Sequence, residues 1–385
     1  MQGIVDKLKK LLILKKLITE IRMNTCSKCL LTDKYPNIAF DSSGVCSFCN
    51  HPNQFKPFGE DKLLAVFEKA KKVKADYDAL VPLSGGKDST YILHLAVNVY
   101  KLKVIAMTYD NGLLSDIALR NIKKAIDVTG VKHVICKPNP EVQRTVYRDM
   151  FLLSGDICGG CDIATKAHIL KVSNDYKTPI ILYGTSPLEN DSFVPDSIQD
   201  IARFKYIMRK AGNLSRKQIN EYLIFPNLNL FRLSYLKRTG KIAKEVSPLF
   251  YIENPTDKEM GEIISRELDW EEDKSREYSK HFDCIAEPLT NYVRNKIYGY
   301  DRRICQYSNM IRNGEITREK GALIFAGDKI DSKPANADVV LDYLGLTDKD
   351  LDAITQIQPM KYEKYTSKMN RLFTYMMKIK NRFKR

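Results

Sequence analysis

The chain lacks any long apolar run, since no stretch of membrane-spanning length is free of charged residues. It also lacks a small-residue cleavage site after its first apolar segment, so the sequence predicts no secretory signal. No internal repeat and no low-complexity segment occurs, which excludes a repeat architecture. From these absences we expect a cytosolic protein.

Histidine is scarce, and the five histidines show no metal-ligand spacing, so none is assigned to a metal. Cysteine is more frequent, with nine residues. Four of them form two CxxC pairs, and a third CxxC pair lies in the middle of the chain. In a cytosolic context this pattern favours metal or redox chemistry over disulfides.

The 385 residues are enough for one large domain or two ordinary ones, and the net charge is +15. A charge of this sign suits polyanions such as nucleotides, nucleotide-sugars, RNA or anionic lipid. Much of the excess lies near the two ends, so the sign alone does not choose among these partners.

Apolar stretches of strand length alternate with helical patterns between residues 61 and 183. This alternation predicts an α/β fold with a doubly wound parallel sheet. After residue 186 the pattern becomes mostly helical. We therefore predict five segments: a basic amphipathic helix (1–23), a four-cysteine segment (24–58), a nucleotide domain (59–185), a helical substrate or partner region (186–345) and a basic tail (346–385). The first helix either packs on its own domain or touches a membrane surface.

The sharpest local signal is the sequence SGGKDS at residues 84–89, which follows an apolar strand and precedes a helix. Main-chain N–H groups and the helix dipole gather at such a turn and favour phosphate. Gly85 and Gly86 permit close approach of the main chain. Ser84 and Ser89 supply hydroxyls, Lys87 a positive charge and Asp88 a carboxylate for magnesium or for the turn.

This loop is not a Walker A loop, because that pattern needs glycine where this chain has Val81. It resembles instead the PP-loop of N-type ATP pyrophosphatases, which adenylate an oxygen and release pyrophosphate. The resemblance implies catalytic roles for Lys87, Asp88 and Ser89. It also implies adenosine contacts at Tyr109 and Asp110, where the second strand ends. Gly184 ends a later strand and would let the nucleotide approach, while Asn190 and Asp191 follow as candidate substrate or metal residues.

The two N-terminal pairs, Cys26 with Cys29 and Cys46 with Cys49, have the spacing of a four-cysteine zinc site. A closed site of four thiolates is structural, and zinc would supply folding energy to a short segment. The mid-chain pair is open to more interpretations. Cys158 and Cys161 could hold a metal or iron–sulfur centre with Cys284 as the third ligand, could form a redox pair, or could be two cysteines in a tight turn.

Several stretches together resemble the N-acetyl sugar amidotransferase family, which includes WbpG-type lipopolysaccharide enzymes and PseA-type enzymes of pseudaminic acid pathways. They are residues 26–30, 37–41 and 44–49, the PP-loop, the Cys158–Cys161 segment, and residues 299–303 and 314–318. The resemblance covers most of residues 24–325. It implies ATP-dependent conversion of an acetamido group to an acetamidino group on a bacterial surface sugar, such as a nucleotide-sugar of O-antigen synthesis, with Mg²⁺ as cofactor.

The chain shows no cysteine nucleophile of a glutaminase, so the resemblance implies a separate glutaminase partner that delivers ammonia. Arg302, Arg303 and Arg318 are candidates for a diphosphate or carboxylate of the substrate, because Arg offers bidentate donors. The alternative interpretation of these residues is an exposed basic helix. The sequence after Gly184 departs from the more acidic string expected of the family, which leaves the sugar unidentified.

A different class also combines zinc knuckles with a PP-loop, namely tRNA-modifying thiolases. Some of these carry an iron–sulfur centre on a CxxC pair plus a third cysteine. The positive charge favours this alternative. The absence of a second pair of zinc knuckles after the nucleotide domain counts against it, as does the better match of the N-terminal string to the sugar family. A non-enzymatic module that binds nucleotide or RNA would leave the SGGKDS loop unexplained.

Overall fold

The fold was analysed in a computed structural model, which describes residues 25–36, 38–50, 55–187, 200–227, 230–273, 283–327 and 332–358, with Leu372 and Met376. The predicted N-terminal helix, most of the basic tail, Asn190 and Asp191 lie outside these residues. No helix in the described part of the chain is long and apolar enough to cross a membrane.

The described residues form two compact units. One contains residues 25–55 and 298–332, and the other contains residues 56–187, 200–297 and those from 333 onward. The predicted division near residue 186 is therefore not where the structure divides. The larger unit continues past residue 186 because a further strand there joins its sheet. Residues 298–332 instead pack with the cysteine-rich segment, as described below.

The larger unit is built on a five-stranded sheet in the order β3-β2-β1-β4-β5, with every neighbouring pair parallel. The strands are β1 (Ala79–Pro82), β2 (Val104–Tyr109), β3 (Lys132–Cys136), β4 (Ile180–Leu182) and β5 (Lys244–Val246). This order confirms the predicted doubly wound parallel sheet. The sequence analysis predicted strands between residues 61 and 183, where β1 to β4 lie, and missed β5, whose three residues are too few for a periodic pattern.

Helices cover both faces of the sheet. In chain order the helices are α1 (Ser47–Asn50), α2 (Glu60–Lys71), α3 (Lys87–His94), α4 (Asp116–Thr129), α5 (Pro140–Ser154), α6 (Cys158–Asp175), α7 (Ile201–Ala211), α8 (Arg216–Leu223), α9 (Leu230–Arg238), α10 (Asp257–Leu268), α11 (Glu287–Tyr298), α12 (Arg302–Arg312), α13 (Arg318–Gly327), α14 (Ala337–Leu344) and α15 (Asp348–Thr355). Short π- and 3₁₀-helical turns occur at Leu95–Val99 and Pro248–Phe250.

Alternate strand residues point to opposite faces and feed two hydrophobic cores. Leu80, Ile105 and Ile181 lie in the core under α5, α6, α7 and α8. Val81, Ala106 and Leu182 lie in the core under α2, α3, α4 and α10. Because helices cover both faces, the strands β1, β2 and β4 are apolar on both sides.

Candidate functional site

The SGGKDS loop lies where the sheet reverses its winding. The connections from β1 to β2 and from β2 to β3 cross one face through α3 and α4, and the chain then crosses the other face through α5 and α6 before β4. β1 therefore lies between β2 and β4. Ligands of open α/β sheets bind in the crevice at the carboxyl edge next to such a reversal. The loop leaves β1 at that edge.

Glycine is required at the second position of the loop. Gly85 has φ +80°, and a Cβ atom there would lie 2.3 Å from the main-chain oxygen of Ala118. The serines close the loop: the main-chain N–H of Ser84 donates to Oγ of Ser89 at 3.2 Å, and Oγ of Ser89 donates to the oxygen of Gly86 at 3.1 Å. The predicted loop residues thus form one tight turn at the start of α3.

Lys87 is the first residue of α3 and is only 8% exposed. Its Nζ lies 2.7 Å from Oδ1 of Asp88 and 2.6 Å from Oδ1 of Asp257, the first residue of α10. Burial disfavours the charged form of Lys87, but the two carboxylates outweigh burial and raise its pKa above the usual value. Lys87 therefore carries a full positive charge at neutral pH. Asp257 was not predicted, because it is 170 residues away in the sequence.

Gly184, just after β4, lies against the phosphate loop, and its predicted role in letting the nucleotide approach stays a prediction. A Cβ atom on Gly184 would lie 2.9 Å from the main-chain carbon of Asp88, so any larger residue would displace the start of α3. The structure therefore places Gly184 and Asp88 together at the β1–β4 reversal. This contact is the physical reason for glycine at the end of β4.

A second acidic residue beside the loop is Asp283, which the sequence analysis missed. A Cβ atom on Gly86 would lie 3.5 Å from Oδ2 of Asp283. The main chain holds Asp283 there, since its oxygen accepts from the N–H of Ser115 at 3.0 Å. Leu114 and Cys284 form an antiparallel bridge next to this bond. No local sequence signal could have predicted this pairing, because the two segments are far apart in the chain.

Tyr109 is at the end of β2, but its side chain does not project from the sheet edge. The ring is 7% exposed and lies 5.0 Å from that of His168, centroid to centroid. Its hydroxyl accepts from Nε2 of Gln143 at 3.2 Å, and burial raises its pKa. Asp110 accepts from the N–H of Gly112 and pairs with Lys137. An adenosine contact at Tyr109 remains a prediction and would use the main chain.

The predicted substrate arginines lie in the smaller unit. The guanidinium of Arg303 pairs with Oδ2 of Asp301 at 2.8 Å, and Asp301 is fully buried and caps α12. Arg318 donates through Nε to the oxygens of Cys26 and Cys29 at 3.4 and 3.1 Å. Arg303 and Arg318 therefore have structural partners. The role of Arg302, the first residue of α12, in binding substrate stays a prediction.

The four N-terminal cysteines converge as predicted. Their sulfur atoms all lie within 4.8 Å of one another, with 3.8 Å between Cys26 and Cys49 and 3.7 Å between Cys29 and Cys46. A tetrahedral ion with metal–sulfur bonds of about 2.3 Å needs sulfur separations of about 3.8 Å. The sulfurs therefore fit a single tetrahedral metal ion.

The surroundings of this cluster suit thiolates. Main-chain N–H groups of Lys28, Cys29 and Cys46 donate to Sγ of Cys26 at 3.2–3.4 Å. Hydrogen bonds among the thiols lower the pKa of Cys29 and raise the pKa of Cys46 and Cys49, so the cluster favours a thiolate first at Cys29. Nη1 of Arg312, on α12, lies 3.8 Å from the same sulfur. Cations and donors around the sulfurs offset the negative charge that a four-thiolate site accumulates.

The mid-chain pair acts on Cys284 electrostatically. Cys158 and Cys161 are in the first turn of α6. Burial, and then the thiols of Cys161 and Cys158, raise the pKa of Cys284. Burial also raises the pKa of Cys161 to about 12. Among described residues, however, only the four N-terminal cysteines meet the 4.8 Å separation for a single ion.

A buried ion pair fixes the turn that carries the mid-chain pair. Oδ1 of Asp156 accepts from the N–H of Cys158 at 3.1 Å, and Oδ2 accepts from that of Gly159 at 3.3 Å. Nη2 of Arg294, on α11, lies 3.1 Å from the same Oδ1. Both side chains are at most 5% exposed. Because α11 follows Cys284 in the chain, the pair ties the Cys158–Cys161 turn to the Cys284 segment.

Comparison with known proteins supports the WbpG-like resemblance. Residues 265–380 match the family model described as LPS biosynthesis protein WbpG-like, C-terminal domain. The resemblance is therefore confirmed for this part of the chain. The chain is also similar to the 7-cyano-7-deazaguanine synthase of Leptospira biflexa, with 34% identity over 85 residues. That alignment covers 20% of this chain and only about a third, 34%, of the relative.

Among solved structures the chain is similar to the U34-tRNA thiolase NcsA from Methanococcus maripaludis with its [4Fe-4S] cluster (17% identity, TM-score 0.32, 78% of this chain and 88% of that one). It is also similar to an NH3-dependent NAD synthetase from Campylobacter jejuni, with 12% identity and a TM-score of 0.35, over 71% of this chain and 95% of that one. Likenesses of this strength carry no argument about function.

Proposed function

We propose that this chain is an ATP-dependent amidotransferase that converts an acetamido group of a bacterial surface-polysaccharide sugar to an acetamidino group. The observation that carries the proposal is the presence, in one chain, of a phosphate-binding turn at the sheet reversal and a WbpG-like C-terminal region. Neither feature alone identifies the reaction. The first supplies a place for a nucleotide, and the second links the chain to lipopolysaccharide synthesis.

The proposed reaction has two steps. The carbonyl oxygen of the acetamido group attacks the α-phosphorus of ATP, the bond to the β-phosphate oxygen breaks, and pyrophosphate leaves with its electron pair. The amide nitrogen loses its proton, so the product is an O-adenylated imidate. Ammonia then attacks the imidate carbon, the carbon–oxygen bond breaks and AMP leaves. The acceptor exchanges its oxygen for an NH group.

The residues of the turn have matching roles. The main-chain N–H groups at the start of α3 and the hydroxyls of Ser84 and Ser89 would stabilise charge on the departing pyrophosphate. The charge of Lys87, held within a buried site, acts in the same direction. Asp88 would hold Mg²⁺, which neutralises charge on the triphosphate when it is bound. Gly184 packs against the main chain of Asp88 and so keeps the start of α3 in place.

Two further components complete the proposal. Ammonia would come from a separate glutaminase, in line with the family resemblance. The proposal also includes peripheral contact of the protein with a membrane surface. The four-cysteine cluster would hold zinc, because a single tetrahedral ion fits its sulfur separations and thiolates favour zinc. With all four positions taken by protein, such an ion would stabilise the fold of the smaller unit and leave no position for substrate.

One observation favours a second candidate, a tRNA thiolase. Cys284 directly follows Asp283 beside the phosphate loop, and the thiols of Cys158 and Cys161 raise its pKa. Three thiolates near a nucleotide site could hold an iron–sulfur cluster, and sulfur transfer would then use the same ATP chemistry. In the amidotransferase these cysteines have no assigned role.

The two candidates are separated by AMP release from Mg-ATP by the purified full-length chain. One reaction contains ammonium and a panel of acetamido nucleotide-sugars, and the other contains tRNA and a sulfur donor. We expect AMP release with sugar and ammonium, together with exchange of an oxygen for NH in the sugar by mass spectrometry. Lys87→Ala should abolish both signals, whereas Lys123→Ala, an exposed lysine on α4, should not. Stimulation by tRNA alone would reject the amidotransferase.

A further inference from the structure

The segment from Asp257 to Glu271 contacts the phosphate loop at two separate points. It begins with the first residue of α10 and ends just after that helix. The sequence analysis gave it no role in the nucleotide site. Its two contacts fix the side chain of Lys87 and the main chain of Gly85.

The first contact, between α10 and Lys87, engages the N–H donors of the lysine side chain. An ammonium group has three N–H donors. In Lys87 they face Oδ1 of Asp88 at 2.7 Å, Oδ1 of Asp257 at 2.6 Å and Sδ of Met260 at 3.7 Å. Two of these three partners, Asp257 and Met260, belong to α10. The direction of the lysine side chain is therefore set by this helix as much as by its own neighbour Asp88.

The second contact fixes the loop itself. The oxygen of Gly85 accepts from Nε1 of Trp270 at 3.1 Å and from Nδ2 of Asn121 at 3.3 Å. Asn121 is in turn held by the main chain of Glu271, with bonds of 2.9 Å to its oxygen and from its N–H. One donor to Gly85, Trp270, thus belongs to the end of the Asp257–Glu271 segment. The other donor, Asn121, is held by Glu271 in the same segment.

We propose that Asp257 is a positioning residue for ATP: it holds the ammonium of Lys87 where the charge meets the phosphates. Asp257 touches Lys87 and is not assigned a contact with the substrate. Without Asp257, Lys87 keeps Asp88 as its one charged partner among the described residues, and its side chain can move relative to the bound phosphates. A displacement of about 1 Å is enough to lose much of such an interaction. The inference rests on the ATP use proposed above, and it does not depend on the acceptor sugar.

The carboxylate of Asp257 also has an opposing effect, because a negative charge near phosphates repels them. With Lys87 present, positioning dominates, and Asp257→Asn weakens binding. With Lys87 removed, only the repulsion remains, and Asp257→Asn no longer weakens binding. This reversal distinguishes a positioning role from a contribution to folding, which would be lost in both backgrounds.

The test is calorimetric titration of the full-length chain with Mg-ATP, without any acceptor. It compares the parent, Asp257→Asn, Lys87→Ala and the double variant. We expect Asp257→Asn to raise the dissociation constant about ten-fold in the parent background. In the Lys87→Ala background it should leave the constant unchanged or lower it. The matched control is Asp269→Asn, in the same segment, whose exposed carboxylate pairs with Lys124 and should not affect binding.

Weaker binding in both backgrounds would overturn the positioning role, and so would unchanged binding when Lys87 is present. Far-UV circular dichroism of every variant identifies any that do not fold, and Asp257→Ser, which keeps an oxygen at that position, then replaces the asparagine variant. A parent chain that does not bind Mg-ATP contradicts the proposed ATP use itself. A parent that binds but shows no dependence on Lys87 contradicts only this inference.

Discussion

Trp270 donates a hydrogen bond from its indole Nε1 to the main-chain oxygen of Gly85 at 3.1 Å. It is the single tryptophan of the chain and is 5% exposed. The bond joins the segment after α10 to the phosphate loop, so the intrinsic fluorescence of the protein reports on the loop directly.

The first prediction concerns this bond. Trp270→Phe keeps an aromatic ring but removes the donor, and Asn121 remains as the second donor to Gly85. We expect the free energy of unfolding to fall by about 1 kcal/mol, as is usual for one hydrogen bond, and Mg-ATP binding to weaken several-fold. Urea unfolding followed by circular dichroism and calorimetric titration measure the two effects. Unchanged ATP binding would mean that the bond does not shape the loop.

The second prediction concerns the metal at the four-cysteine cluster. Cys46→Ser removes one of four ligands, so we expect the purified protein to lose most of its zinc and to unfold at a lower temperature. Elemental analysis and thermal unfolding are the measurements. Cys305→Ser is the matched control, because Cys305 lies buried in the same unit and donates to the oxygen of Asp301 rather than joining the cluster. Iron rather than zinc in the parent protein would reject the zinc assignment.

The third prediction concerns the buried pair of Asp156 and Arg294. Arg294→Met leaves a buried carboxylate without its cation, and we expect the free energy of unfolding to fall by roughly 3 kcal/mol. Asp156→Asn combined with Arg294→Met should cost less, because no unpaired charge remains. Lys123→Met, which breaks an exposed pair with Asp127, should change stability by less than about 1 kcal/mol. Equal losses in the single and double variants would show that the charge of Asp156 is not what matters.

The fourth prediction concerns pH. Burial lowers the pKa of His133, whose Nε2 lies 2.8 Å from Oγ1 of Thr108 at the end of β2. The pKa is therefore higher in the unfolded chain, near 6.5, and the unfolded chain binds the proton first as pH falls. The stability that neutral His133 contributes is complete above the pKa of the unfolded chain and is lost as pH falls below that value. We expect the free energy of unfolding to fall between pH 7.5 and 5.5, with a shallower slope in His133→Gln. An equal slope in the parent and in His133→Gln would show that His133 does not cause the pH dependence of the free energy of unfolding.

Sequence reasoning reached the parts of the site that are local. The SGGKDS turn needs only neighbouring residues to form, and its place between a strand and a helix could be predicted from the alternation of apolar strands and helices. The spacing within each CxxC pair likewise predicted the metal cluster, because two cysteines three residues apart can face one ion. Cys284 was identified as a partner of Cys158 and Cys161, and this stays a prediction, because among the described residues the three do not meet the separation for a single ion.

The rest depended on chain segments that meet only in three dimensions. Asp257, Trp270 and Asp283 reach the phosphate loop from about 170 to 200 positions further along the chain, and each is flanked by residues with no recognisable motif. The predicted substrate arginines show that a suitable residue type in the sequence can have a structural partner in the fold. Arg318 was an attractive ligand for an anion, but its guanidinium is bound to the carbonyl oxygens of Cys26 and Cys29.

For this protein, then, the sequence by itself determined the phosphate turn, the four-cysteine cluster and the parallel sheet, because each arises from residue type and short-range spacing. Only the tertiary structure decided which charges surround Lys87, which donors hold Gly85 and where the chain divides into units. Those properties depend on how distant helices pack against the sheet, and packing energy is spread over many contacts that leave no periodic signal in the sequence.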